Sequence, residues 1–507
     1  MRAICLALIG TLIAIASLIA QRRPASPPTI WPTEGWAIAT PESQGLDSGV
    51  LADMLEYIRE RQLAVHSLVV VRHGRLILDA TVYPYDGRQP HDIASATKSI
   101  TSLLVGIAID KRFVSSVHDR VVGLLPSRAS AKLDPRTERL EVEHLLTMQS
   151  GFLCDADDGE KELARMRQSD DWAAFALALP MGADPGTQYA YCSCNTHLLS
   201  AIVSARTGDS ALASARKYLF GRLGIRDVIW PADPQGRTHG WGDLHLYPRD
   251  LAKIGYLYLH GGRWNGEQVV SDDWVKQSIV PRVAVRDGVG YGYGWWVNTA
   301  RQPAVFEAVG RGGQRLAVLP DKDLVVVFNG GGFNTDELAP FLFRAIRSDV
   351  ALRENPASAR RLQQRLSEAR AAPRPHTAGP LPMLARRISG RSFVIEANPL
   401  KLERLALIFS DRSQARATLR MLEDDWSVPV GLDGAYRFSS TGPHTLPMAA
   451  TGEWVSADEF VLDLNTVAKI NRFTIRMQFA GEEVRLRIDE ATGEIRNLFV
   501  AGRVDSR

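Results

Sequence analysis

The order of apolar runs along the chain predicts an α/β domain followed by a small all-β domain. Strand-like runs at Ser67 to Val71 and Leu76 to Val82 precede a largely helical block. Further runs at Val305 to Val309, Arg315 to Leu319 and Leu324 to Asn329 follow it. One antiparallel sheet built from both ends of the domain and flanked by helices accounts for that order. Past a Pro-rich stretch from Ala372 to Pro382, the pattern shifts to short runs of alternating polarity broken by Gly, Asn and Asp, as in a small barrel or sandwich.

Taken in order, residues 1–34 hold Met1-Arg2, an almost wholly apolar run from Ala3 to Ala20, then Gln21-Arg22-Arg23 and a Pro-rich lead. The run is long enough for an uncleaved anchor, and Ala14-Ile15-Ala16 offers a signal-peptidase-like site. A cleaved signal and a periplasmic or secreted protein is the expectation, with membrane association through this segment as the alternative. Residues 35–350 form the α/β domain. It opens on a helix from Asp47 to Arg61, whose apolar positions Leu51, Met54, Leu55 and Ile58 share one face, and on a hairpin turning at His73-Gly74. Helical patterns recur at Val142 to Met148, Trp172 to Leu179, Thr196 to Ala205 and Asp250 to Leu259, and Asp336 to Ile346 closes the domain. Residues 351–391 read as a charged helix and linker, and residues 392–507 as the β domain.

Composition is that of an ordinary globular chain: 507 residues, 45% apolar, 23% charged, net charge +3. No basic run points to nucleic acid. No paired C-x-x-C or H-x-x-x-H spacing points to a metal, and no organic cofactor is expected. Outside the export segment remain Cys154, Cys192 and Cys194. Cys192 and Cys194 are too close in sequence to pair comfortably, so an exported protein is expected to bridge Cys154 to one of them.

The chemistry centres on Ser95-Ala96-Thr97-Lys98, ahead of the apolar run Ile100 to Ile109. Residues three apart on a helix share a face, so the Lys98 amine reaches the Ser95 hydroxyl. Burial would lower the lysine pKa enough to make it a base, and backbone N–H groups of the first turn could stabilise an oxyanion. A second S-x-x-K at Ser214 to Lys217 lacks a long apolar run behind it and reads as a solvated helix face. Arg206-Thr207-Gly208 reads as a helix end capped by Gly208. Neither G-x-S-x-G nor H-E-x-x-H nor a P-loop occurs.

Further stretches join Ser95 and Lys98: Tyr189-Ala190-Tyr191-Cys192-Ser193, Leu145 to Gly151, Pro248-Arg249-Asp250-Leu251, Tyr291-Gly292-Tyr293-Gly294-Trp295 and Gly310-Arg311-Gly312-Gly313-Gln314. Together, over about residues 40 to 350, they resemble the serine β-lactamase and penicillin-binding superfamily. Within it they are most similar to the branch of class C β-lactamases, carboxylesterases, D-aminopeptidases and 6-aminohexanoate-dimer hydrolases. The resemblance implies the β-lactamase-like α/β fold, with Ser95 acylated, Lys98 its lysine, Tyr191 the proton-shuttling tyrosine and Ser193 the polar residue two positions on. It places Ser193, Arg311, Gly312 and Gly313 at the substrate, and the backbone N–H groups of Ser95 and Gln314 in the oxyanion hole. Cys192 adjoins Tyr191, which makes a Cys154–Cys192 bridge the expected pairing, with Cys194 left as a thiol. The implied activity is hydrolysis of small amides or esters. β-Lactam or D-aminopeptide hydrolysis, and a sensor or scaffold that acylates without turnover, remain alternatives.

Overall fold

The computed structural model describes residues 29–125, 133–154, 160–300, 304–421, 424–439, 442 and 446–505. The apolar N-terminal run, and the signal or anchor expected there, lie outside them. Among the described residues no helix is long and apolar enough to cross a membrane.

The first domain is a nine-stranded sheet in the order β1-β3-β2-β9-β8-β7-β6-β5-β4. Its strands are β1 Ala37–Ile38, β2 Val65–Arg72, β3 Arg75–Thr81, β4 Val283–Arg286, β5 Val289–Tyr291, β6 Trp296–Asn298, β7 Val305–Gly310, β8 Gln314–Leu319 and β9 Leu324–Gly330. The β2–β9 ladder joins the early and late strands, antiparallel, through pairs such as Val70↔Val326. Short β1 runs parallel to β3, so the sheet is mixed rather than wholly antiparallel.

Period two explains why the central strands read as unbroken apolar runs. Leu68, Val70, Val326 and Phe328 face a core shared with α1 (Ser48–Glu60), whereas Val69, Val71, Val325 and Val327 face the larger core on the opposite side. That second core contains α2 (Thr97–Asp110), α3 (Ser193–Thr207) and α4 (Pro248–Leu259). Gly255 lets α4 lie close on the sheet, since a Cβ there would fall 2.7 Å from Val325 Cγ1. The predicted closing helix is shorter than expected. Pro340 sits in its first turn, a 3-10 turn covers Thr335–Glu337, and α5 runs only from Ala339–Ala345. Beyond it, α6 (Pro356–Arg370) is not a free linker: Leu362 is buried with the α1 core, and Arg361 pairs with Glu56 at 2.7 Å.

The second domain is a closed nine-stranded barrel, the barrel alternative of the sequence reading. Strands β10 Ser392–Ile395, β11 Arg404–Phe409, β12 Gln414–Met421, β13 Asp424–Gly431, β14 Met448–Trp454, β15 Glu459–Thr466, β16 Arg472–Ala480, β17 Glu483–Glu490 and β18 Leu498–Val504 pair in the order β13-β12-β11-β10-β18-β17-β16-β15-β14. Parallel pairing of Val430 with Ala450 closes the ring. Its interior is filled by alternate residues including Phe393, Leu405, Trp426, Phe460 and Phe473. The β15–β16 turn leaves the barrel and docks on the first domain, where the Asp92 N–H donates to Ala468 O at 2.8 Å. Val467 and Ala468 pack there with Tyr85, Leu446 and Ala449 in a separate apolar cluster.

Candidate active site

Ser95 is presented by a strained entry into a helix. Ala94 has a left-handed backbone, φ 46°, which costs a non-glycine residue about 1–2 kcal/mol. Asp92 holds that kink, its carboxylate accepting from the Ala94 N–H at 2.8 Å. A 3-10 turn, Ala94–Ala96, then runs into α2. Three α2 hydroxyls bolt the helix in place: Ser99 donates to Gly294 O, Ser102 to Tyr293 O and Thr101 to Gly240 O, at 2.6, 2.6 and 2.8 Å. The Tyr291-to-Trp295 stretch is therefore a brace for the Ser95 helix.

Lys98 is 1% exposed and donates to Ser95 Oγ at 2.9 Å and to the Trp241 carbonyl at 3.1 Å. Burial brings its pKa down to about 8, although Glu160, Cys194 and Asp243 act in the opposite direction. At pH 7 about one lysine in ten is then a neutral amine. The amine also lies over the Tyr191 ring, 4.8 Å from its centroid. Tyr191 is pushed well above the ordinary phenol range by burial, partly offset by its hydrogen bond with Ser95. Trp296 stacks on the Tyr191 ring at 5.9 Å and Tyr291 meets it edge-on at 6.1 Å. A serine hydroxyl, a buried amine and a neutral phenol thus converge.

The tyrosine loop is tied down from two sides. Cys154 and Cys192 form a disulfide, with their Cα atoms 5.4 Å apart. Cys194 is a buried thiol whose pKa burial raises to about 12. On the other side, the Ala190 N–H donates to Met148 O at 2.9 Å, which engages the Leu145-to-Gly151 stretch. Ser193 is buried in the first turn of α3, and its hydroxyl donates to Glu160 Oε1 at 2.8 Å. Glu160 therefore occupies the hydroxyl that the sequence assigned to substrate.

The third motif differs most from expectation. Arg311 forms an ion pair with Glu494 and donates to Thr492 Oγ1 at 3.2 Å, both in the barrel, so its guanidinium is engaged away from the Ser95–Lys98 pair. Gly312 and Gly313 have φ of 82° and 92°, and a Cβ on Gly313 would fall 2.5 Å from the Phe333 ring, so both serve the hairpin turn. The Gln314 side chain faces inward, donating to Gly330 O at 2.6 Å and accepting from Asn329 Nδ2 at 3.1 Å. Gly310, at the end of β7, is the residue that meets the Ser95 segment. A Cβ there would lie 2.5 Å from Ile93 O and 3.0 Å from Ser95 N.

The rival S-x-x-K is different in kind. Ser214 is buried rather than solvated and lies 3.0 Å from Thr207 Oγ1, while Lys217 faces Asp209 at 3.8 Å. Gly208 caps α3 with φ 76°. The sequence reading missed the Trp241 carbonyl and Glu160, which no local spacing reveals. It passed over Gly310 although a glycine opening a Gly-x-Gly-Gly turn is a signal of close approach. The three cysteines lie close enough to share an ion, but two are consumed by the disulfide.

A 6-aminohexanoate-dimer hydrolase of Paenarthrobacter ureafaciens is 26% identical to this chain over 314 residues, 57% of this chain and 79% of the relative. An uncharacterised protein of Alkalihalophilus pseudofirmus is 23% identical over 277 residues, 48% of this chain and 74% of that one. Among solved structures, a candidate 6-aminohexanoate-dimer hydrolase from Bacillus anthracis superposes with a TM-score of 0.50 at 17% identity, covering 67% of this chain and 88% of that one, which is a likeness of fold. A family model described as Beta-lactamase matches residues 50–351, more than half of the 507, and the chain belongs to the Beta-lactamase family of hydrolases.

Proposed function

We propose that the protein is a serine hydrolase that cleaves small esters or amides through an acyl-enzyme on Ser95. One observation carries this reading: the Lys98 amine, 1% exposed and brought to a pKa of about 8, sits 2.9 Å from Ser95 Oγ. A lysine is a useful general base when its neutral form is populated near the working pH. Lys98 takes the hydroxyl proton as Ser95 attacks the carbonyl. The neutral Tyr191 phenol hands a proton to the leaving group, and water then cleaves the acyl bond with the same groups in reverse.

The oxyanion lies against the N-terminus of the Ser95 helix, where the Ser95 N–H is one donor. We assign the second donor to the β7 end at Gly310–Arg311 instead of Gln314, because Gly310 is the residue packed on Ser95 N. Arg311 is held by Glu494, which leaves the third motif without the cation that a β-lactam carboxylate would use. This supports small esters and amides over β-lactams, and the named Paenarthrobacter relative supports ω-amino-acid oligoamides among the amides. The Cys154–Cys192 bridge supports an oxidising compartment, periplasmic or extracellular.

The test is side-by-side kcat/KM for p-nitrophenyl butyrate, an aminohexanoate dimer and nitrocefin, with a fluorophosphonate probe locating the label. Labelling of Ser95 with turnover of the ester or the dimer well above nitrocefin is expected. Preferred nitrocefin turnover would overturn the substrate class, and stoichiometric labelling without turnover would favour a sensor that acylates once.

A further inference from the structure

One turn of the barrel, between β15 and β16, reaches the segment that presents Ser95. Ala468 O accepts from the Asp92 N–H at 2.8 Å, and Asp92 is the residue whose carboxylate holds the Ala94 kink. Ile470 lies on the other side of the same turn, where a Cβ on Gly312 would fall 3.3 Å from Ile470 Cβ. The turn thus bridges the segment that presents Ser95 and the tip of the β7–β8 hairpin. Lys469 stands between these two anchors, half-buried.

We propose that Lys469 is a specificity residue of the Ser95 site and receives the carboxylate of an anionic acyl substrate. The inference rests on the reading of Ser95 as the nucleophile of a hydrolase. Three observations converge on it. Ala468, the residue before Lys469, carries a left-handed backbone, φ 67°, held by its contact with Asp92. Among the described residues the Lys469 ammonium makes no ion pair, whereas Arg311 is neutralised by Glu494 and Lys98 is needed as a neutral base. A half-buried ammonium without a contact partner gains a charge-assisted bond when an anion arrives.

The third observation is the loop on which that charge acts. The Trp241-to-His245 loop supplies the carbonyl that Lys98 holds, and the Leu244 carbonyl accepts from the Ile93 N–H at 2.9 Å. Lys469 acts electrostatically on this same loop, at Asp243 and at His245. Burial would raise the Asp243 carboxyl, but the hydrogen bond from His239 at 2.8 Å, together with the charges of His239, Lys469 and Arg167, holds it well below the usual carboxylate range. Asp243 is committed to His239, which stacks on Trp241 at 4.6 Å.

The experiment compares matched p-nitrophenyl esters in the full-length protein: the mono-esters of adipic and suberic acid against the neutral hexanoate and octanoate. In Lys469→Met, kcat/KM for an acidic ester should fall about ten- to a hundredfold, chiefly through KM, while the neutral esters stay within about twofold. Lys469→Arg should restore much of the loss, and Lys469→Gln guards against a packing artefact of methionine. An equal change for acidic and neutral esters, or none, would overturn the Lys469 assignment while leaving the hydrolase reading intact. Should the native protein cleave none of the four, or should Ser95→Ala cleave them as well as the native protein does, the hydrolase reading falls and this inference falls with it.

Discussion

In the proposed mechanism Lys98 sets the pH behaviour. Its folded pKa of about 8 lies below the ordinary 10.5 because burial disfavours the ammonium. A general base must be neutral, so kcat/KM for a p-nitrophenyl ester should rise about tenfold per pH unit below pH 8 and level off above it. The linkage has the same origin. Between about pH 8 and 10.5 the unfolded chain holds a proton that folded Lys98 has released, so the Lys98 contribution to stability increases with pH across that window. Tyr191, raised by burial, stays protonated throughout the activity rise. A pH–rate profile of the native protein against Lys98→Ala checks the assignment: the limb should vanish and the rate drop by about 10² to 10⁴. Ser95→Ala should abolish turnover, and Ser214→Ala should leave it unchanged. The Ser95–Lys98 contact was legible because it is local, three positions along one helix. Trp241 and Glu160 were not, because they lie 146 and 65 positions from Ser95 in the chain and only tertiary folding brings them to the site.

Secondary elements bring backbone to backbone at the site, and Gly310 is the point of least tolerance. β7 ends against the turn that carries Ser95, and a methyl at 310 would meet the Ile93 carbonyl at 2.5 Å. That neighbour is backbone and cannot swing aside. Gly310→Ala should therefore lower kcat/KM by at least about a hundredfold while costing only about 1–3 kcal/mol of stability. Thermal melting and steady-state kinetics on one preparation separate the two effects. The disulfide acts at the same scale, since it fixes Cys192 at the start of α3 one residue after Tyr191. Replacing Cys154 with Ser should destabilise the fold by about 2–4 kcal/mol and slow turnover more than it raises KM, read from denaturant unfolding and kinetics. In the first domain β2, β3, β7, β8 and β9 were legible from their apolar runs, whereas β1, β4, β5 and β6 are too short to show one. Closure of the barrel was not legible, because the parallel pairing of Val430 with Ala450 leaves no local signal in the sequence.

At the scale of the whole molecule, the change in composition at Ala372 to Pro382 suggests two domains that fold independently, yet the contacts between them converge on the site. The β15–β16 turn carries the acceptor for the Asp92 N–H, Ala468 O, and its Val467 and Ala468 pack with Tyr85. The Ala491-to-Glu494 turn engages Arg311 and closes over Gly332, where a Cβ would fall 2.5 Å from Ala491 O. The first domain retains both of its own cores without the barrel, including α6 on α1. A chain ending at Ala371 should therefore fold with near-native helix and sheet content. It should lose a few degrees of Tm and at least about tenfold in kcat/KM for a neutral p-nitrophenyl ester, because the Asp92 clamp on the Ala94 kink is loosened. Circular dichroism melting alongside kinetics measures both. Full activity in the truncated chain would mean that the barrel merely sits beside the site. A truncation that cannot fold would mean the two domains form one cooperative unit.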